Sequence, residues 1–153
     1  MRLTARSEYG LLALIDISCR AGAGPVCVRG IAERQAIPPK FLEQLFVSMR
    51  KAGLVTAVRG AHGGFELARP PAAITVLEVV EALEGPLQPS QCASEESCHR
   101  SGACAAGVVW ARATEALRGV LTGTTLADLA RSQLGIDATG TAVVAQGGAH
   151  RHG

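Results

Sequence analysis

Aromatic side chains are scarce in this 153-residue sequence, which has one Trp, one Tyr and three Phe. That shortage disfavours a β-sandwich held by aromatic packing. Hydrophobic residues still make up 48% of the chain, so the core must come from Leu, Val, Ile and Ala, which suits helices packed on helices. Long apolar runs are missing too. Nothing approaches the roughly 20 consecutive residues that a membrane-spanning helix needs. Arg2 and Arg6 precede Glu8 and Asp16, with no small-residue cleavage site. The start therefore reads as a helix and not a signal peptide, and a soluble, cytoplasmic protein with no membrane partner is expected. Internal repeats, a nucleophile–base constellation and a nucleotide-binding glycine pattern are all absent, so an enzyme is not expected.

Negative charge is thin in the first half. Residues 1–73 hold ten Lys and Arg against five Asp and Glu, whereas residues 74–106 hold one Arg against five Glu. A basic N-terminal block suits a polyanion such as nucleic acid, although an unevenly charged solvated surface gives the same count.

Periodicity then orders the chain. Leu11, Leu12, Leu14, Ile15 and Ile17 predict a largely buried helix from about Ala5 to Arg20, ended by Ala21-Gly22-Ala23-Gly24-Pro25. A short helix over Val28–Gln35 turns inward through Ile31 and Ala32. The next, about Pro39 to Ala52, sets Leu42, Leu45, Phe46 and Met49 at i, i+3, i+4 and i+7. Proline suits its first turn and Gly53 its end. Leu54–Val58 and Phe65–Leu67 flank the basic, Gly-rich Arg59-Gly60-Ala61-His62-Gly63-Gly64 and read as a hairpin. Thr75-Val76-Leu77-Glu78 has capping-box spacing and starts a helix that ends at Gly85. Pro86–Ala103 reads as loop. A helix from about Ala105 to Leu121 follows, with Val109, Ala113, Ala116, Leu117 and Val120 at helical spacing and Trp110 beside them. A short helix spans Thr125–Gln133, and the Gly-, Ala- and His-rich remainder reads as a disordered tail.

Short helix, tight turn, amphipathic helix and basic hairpin is the order of a winged helix-turn-helix. The expected class is mainly α with a small β-hairpin wing, extended by a long dimerisation helix. The expected division is a DNA-binding domain over 1–72, a cluster loop and dimerisation helices over 73–134, and the tail over 135–153. Opposite the apolar stripe, Lys40, Glu43, Gln44, Arg50 and Lys51 form the polar side. Gln44 can bond adenine, Glu43 can accept from cytosine N4, and Lys40 can reach phosphate or guanine. Arg59 can enter the minor groove or grip phosphate. His62 shares that basic turn and is counted with Arg59 among the expected DNA-binding residues; no catalytic role is expected for it.

The five cysteines are an odd number. Cys19 lies on the apolar side of the first helix and is expected to pack; Cys27 falls in a loop and receives no role. Cys92, Cys98 and Cys104 recur six residues apart within the loop. Three thiolates so close select zinc, cuprous copper or an iron–sulfur cluster. The paired C-x2–4-C spacing of structural zinc is missing, so the spacing leans towards a cluster. A fourth ligand could come from Glu8, His99, Glu95, Glu96 or a partner subunit.

Together these segments resemble the IscR/NsrR-type (Rrf-two) family of bacterial transcription regulators. The resemblance is carried by Met1-Arg2-Leu3-Thr4, Phe41-Leu42-Glu43-Gln44-Leu45-Phe46, Arg50-Lys51-Ala52-Gly53-Leu54-Val55, Val58-Arg59-Gly60-Ala61-His62-Gly63-Gly64-Phe65 and the spaced cysteines, over about residues 1–134. It implies a homodimer on a near-palindromic double-stranded DNA operator, with repression as the expected sense. It also implies that Glu43, Gln44 and Arg59 meet DNA, and that Cys92, Cys98 and Cys104 hold a 2Fe–2S or 4Fe–4S cluster sensing redox state, iron or nitric oxide. Lys40 replaces a smaller polar residue of some relatives. Gly107 stands where some have a ligating histidine, whereas Glu8 matches an acidic ligand that others carry near the N-terminus, so Glu8 is the expected fourth ligand. A cluster-free regulator answering to thiols or a small effector is the alternative; an iron–sulfur enzyme or carrier is the rival from another class.

Overall fold

The computed structural model describes residues 2–90 and 104–140. In chain order these residues form α1 (Ala5–Cys19), α2 (Val28–Gln35), α3 (Pro39–Lys51), β1 (Val55–Val58), β2 (Gly64–Leu67), a 3-10 turn (Pro71–Ala73), α4 (Val76–Glu84), α5 (Ala105–Thr122) and α6 (Leu126–Thr139). The fold is mainly α with a small hairpin wing, as the periodicity and turn signals predict.

Two helix starts are built from local chemistry. Thr75 caps α4 and Thr125 caps α6, each in a full capping box with Glu78 and Asp128. The two starts lie side by side: the Val76 N–H donates to Thr124 O at 2.9 Å and the Leu126 N–H to Ile74 O at 3.0 Å. The first turn of α1 is closed from far away. Glu84 Oε1 accepts from the Thr4 N–H at 3.0 Å, the Thr4 hydroxyl at 2.6 Å and the Ser7 N–H at 3.2 Å. Burial works to raise the Glu84 pKa, but these bonds outweigh it and hold the carboxyl below its ordinary range. A negative charge at a helix N-terminus is favourable as well.

The apolar stripe of α3 goes fully inside: Leu42, Leu45, Phe46 and Met49 are all buried. They meet Ala13, Leu14 and Ile17 of α1, Ile31 of α2 and Val55 of β1 in one cluster. That cluster also takes Ile74, Val79 and Leu83, and Leu126 from α6. Gly10, in mid-α1, is where α4 comes closest: a Cβ there would lie 2.2 Å from Leu83 Cδ1.

β1 and β2 pair antiparallel, with Val55 opposite Leu67 and Val58 opposite Gly64. Val26, just ahead of α2, adds a further bridge, exchanging N–H···O bonds of 2.9 and 2.8 Å with Phe65. The turn that links the strands has Gly60 at φ +119°, a conformation that suits glycine.

Two details depart from the sequence-based expectation. Leu12 in α1 is exposed and Leu11 and Ile15 are only half-buried, so that helix is less buried than its apolar run predicts. The last helix does not stop near Gln133 but runs to Thr139. The Gln133 amide donates to Asp137 at 2.8 Å, and Gly140 at φ +67° ends the helix. The first residues of the expected tail, 135–139, are thus helical; the rest of the tail beyond Gly140 lies outside the described residues. In the single chain none of the residues of α5, the expected dimerisation helix, is buried, and Val108, Val109, Trp110 and Val120 stand exposed.

Candidate DNA interface and cysteine site

The angle of α3 is fixed on two sides. Its Phe46 ring stacks obliquely on Phe65 of β2 at 4.5 Å, and Phe41 meets Tyr9 of α1 edge to face at 5.8 Å. The wing and α3 are therefore held in one relation to each other. Arg6 ties in a third element. Its Nε donates to Leu83 O at 3.2 Å, at the end of α4, and its Nη2 to the Ser48 hydroxyl at 3.4 Å, on α3.

Asp16, the one charged residue buried among the described residues, seats α2 on α1. It accepts from Arg34 Nε at 3.0 Å, Arg34 Nη2 at 2.6 Å and Gln35 Nε2 at 3.3 Å, with Arg20 3.5 Å away. Burial pushes its pKa up, but the Arg34 bond and charge, the Gln35 bond and Arg20 together hold it below the ordinary value.

Lys40, Glu43, Gln44, Arg50 and Lys51 are all exposed on α3, and Arg59 and His62 are exposed in the wing turn. Lys40, Arg50, Lys51 and Arg59 form no ion pair among the described residues. Their charge is left for an external anion. Between α3 and the wing runs an open groove of about 440 Å³ lined by Val28, Glu43, Phe46, Val47, Arg50, Lys51 and Phe65. A polar helix face and a basic turn separated by such a groove can straddle the sugar–phosphate backbone of a duplex.

The sequence reading passed over two contributors. Cys27 caps α2, its sulfur accepting from the Gly30 N–H at 3.3 Å; the signal was a small polarisable residue just ahead of a helix, where Ser or Thr commonly stands. Val47 is 55% exposed in the middle of the polar face of α3, and was hidden because apolar residues were sought only on the inner stripe. Cys19 packs as expected: its thiol points to Ala130 O at 3.7 Å, and burial, then Asp137 and Asp16, push its pKa up.

Cys104 is half-buried at the N-cap of α5 and makes no side-chain capping bond. Glu8 is exposed in the first turn of α1. Cys92, Cys98, His99, Glu95 and Glu96 lie outside the described residues. Among the described residues no three His, Cys, Asp or Glu side chains converge as a metal site. The donor set itself suits an iron–sulfur cluster: three soft sulfur donors, one of them at the start of a helix with its sulfur not spent on capping. No helix among the described residues is long and apolar enough to cross a membrane.

Comparison with known proteins agrees with this architecture. The model of the Rrf2 family, described as an iron-dependent transcriptional regulator, matches residues 3–132. Protein rrf2 of Nitratidesulfovibrio vulgaris is 42% identical over 132 residues, covering 86% of this chain and 88% of that one. The structure of CymR, the global cysteine regulator of B. subtilis, superposes with a TM-score of 0.75 at 35% identity, covering 86% of this chain and 97% of that one. The structure of IscR from T. potens gives a TM-score of 0.71 at 34% identity, covering 97% and 93%. These relatives are regulators and not enzymes. This chain belongs to the Rrf2 family of winged-helix proteins and is a DNA-binding transcription regulator.

Proposed function

We propose that the protein is a cytoplasmic homodimeric repressor that reads a near-palindromic operator with α3 and the wing, and that an iron–sulfur cluster on Cys92, Cys98 and Cys104 sets its affinity. One observation carries this reading: α5, 18 residues long with none buried, begins at the third cysteine. An amphipathic helix with exposed apolar residues and none buried calls for a partner, and a second copy of the same helix is the simplest one. The cysteine segment then ends where the proposed dimer contact begins. Glu8 is the proposed fourth ligand, contributed by the partner protomer. The cluster, 2Fe–2S or 4Fe–4S, would supply a redox centre sensitive to oxidants, iron supply or nitric oxide.

The remaining steps belong to the chain's own residues. Leu83 and Glu84, at the end of α4, lead into the cysteine segment. Through Arg6 and Thr4 they are bonded to α1 and to Ser48 of α3. A shift of the cysteine segment changes the pull on that junction, and with it the tilt of α3 in the major groove. Lys40, Arg50, Lys51 and Arg59 hold phosphates, while Glu43 and Gln44 read base edges.

The test is anaerobic purification with assay of iron and acid-labile sulfide, together with the visible spectrum. Binding to duplexes selected from random sequence follows, for wild type and for the C92A, C98A and C104A variants. Stoichiometric iron and sulfide, lost in each variant together with a change in DNA affinity, is the expected result. A colourless protein after reconstitution, still binding DNA, would transfer the cysteines to a thiol- or effector-based switch. Similarity to a global cysteine regulator makes that the outcome to watch. A cluster retained with no duplex bound would indicate a carrier.

A further inference from the structure

The polar face of α3 carries one residue whose chemistry does not match its neighbours. Lys40, Gln44, Val47 and Lys51 fall at i, i+4, i+7 and i+11, opposite the buried stripe of Leu42, Leu45, Phe46 and Met49. Val47 is 55% exposed at the centre of that row. Within the fold it has little to recommend it. A β-branched residue is a weaker helix former than the Lys, Gln or Arg around it, and its isopropyl group remains in water. Its other surroundings are specific: it edges the groove towards Val28, Phe46 and Phe65, with Glu43, Arg50 and Lys51 around the rim.

A small apolar spot encircled by cations and polar groups fits the major-groove edge of a base pair that offers a methyl group. Among the bases only thymine does so, through its C5-methyl. We infer that Val47 is a specificity-determining residue that packs against a thymine C5-methyl in each half-site. The thymine would adjoin the bases reached by Glu43 and Gln44, one turn earlier on the same helix. This inference rests on the assignment of α3 as the DNA-reading helix. Cations on both sides of Val47 set the phosphates close enough to bring the methyl into van der Waals contact, and the contact excludes water from both apolar groups.

The experiment starts from duplexes selected from random sequence by the wild-type protein. Each thymine is then replaced in turn by deoxyuridine, which removes the methyl and leaves every hydrogen-bonding group in place. Kd is measured at one salt concentration for wild type, Val47→Ser and the near-isosteric Val47→Thr. One thymine per half-site should stand out, its replacement weakening wild-type binding about fourfold, the ratio that corresponds to roughly 0.8 kcal/mol for one methyl-sized group. Replacing it in both half-sites should give about 15-fold. Val47→Ser should bind the thymine and deoxyuridine forms equally, while all other thymines keep their wild-type profile. Because the side chain is exposed, both variants should melt with the wild type; if Val47→Ser does not, Val47→Thr, which keeps one of the two methyls, carries the test through a reduced preference for that one thymine over deoxyuridine. Wild-type indifference to every thymine methyl, or the same thymine profile in both variants as in wild type, overturns the inference. Failure to select any duplex would overturn the α3 assignment and this inference with it, and would be distinguishable because no profile would then exist.

Discussion

Replacing Asp16 by Asn tests how α2 is held to α1. The carboxylate is 5% exposed and takes three hydrogen bonds, two from one guanidinium, while Arg34 itself is 36% exposed. Breaking a fully buried pair costs roughly 3–5 kcal/mol. Because Arg34 recovers water once released, about 2 kcal/mol is the expected loss. The amide keeps the shape of the carboxylate, so packing contributes little to that figure. In urea, with a slope of about 1–3 kcal/mol/M, the midpoint should fall by about 1 M. Wild type and variant must be compared at one protein concentration, since a dimer's stability depends on it. The pH dependence supplies a second reading. The folded pKa of Asp16 lies below its ordinary value, so its contribution is complete above that ordinary value and is lost as pH falls through the folded one. The gap between wild type and D16N should hold steady at neutral pH and close below about pH 4. A gap under about 0.5 kcal/mol at pH 7, the scatter of ordinary surface substitutions, would refute the reasoning. So would a gap of the same size at every pH.

A Cβ on Gly64 would lie 2.3 Å from Val26 O and 2.8 Å from Cys27 N, both backbone atoms that cannot turn aside. Gly64→Ala should therefore destabilise by about 2 kcal/mol or more and unseat the wing, read as a lower melting temperature together with weaker DNA binding. Thr75→Ala removes one half of the capping box of α4 and should cost about 1 kcal/mol in denaturant titration, with the DNA sequence preference unchanged. Val109→Glu places a charge on the exposed apolar side of α5, where Val109 is 60% exposed. It should leave the melting behaviour of a single protomer intact and convert the dimer to monomer in light scattering. A stable dimer would move the interface elsewhere.

Features written in short-range patterns were legible in the sequence. The inner stripe of α3, the Gly53 stop, the Gly-rich turn and the Thr75 capping box all depend on residues within a few positions of one another. What escaped depends on distance along the chain. Glu84 closes the start of α1 from 80 residues away, and no local pattern marks it among the other acids of that segment. Val26 hydrogen-bonds to the wing through its backbone, and a backbone bond leaves no mark on the residue type. Asp16 stands alone as an acid in the apolar run of α1, and its partners sit 18 and 19 residues on. The last helix was cut short because Gly135 and Thr139 are weak helix formers, yet side-chain bonds and the Gly140 cap carry it on. At the cysteine site, spacing gave the three thiols, and among the described residues Cys104 shows how one of them is presented.

The shared core has a consequence for protein engineering. Leu126 and Ala130 of the last helix lie buried, Leu126 in the cluster that also holds Leu14 of the first, and the starts of α4 and α6 are stitched together through Thr75 and Thr125. A reading head cut off after the wing would leave a raw apolar surface where Ile74, Val79, Leu83 and Leu126 had been. Exchange of the proposed sensing part between relatives is therefore constrained to one cassette, the stretch between Leu87 and Thr124. Its two ends are anchored in the same body, so a transplanted segment would arrive with both attachment points already in place.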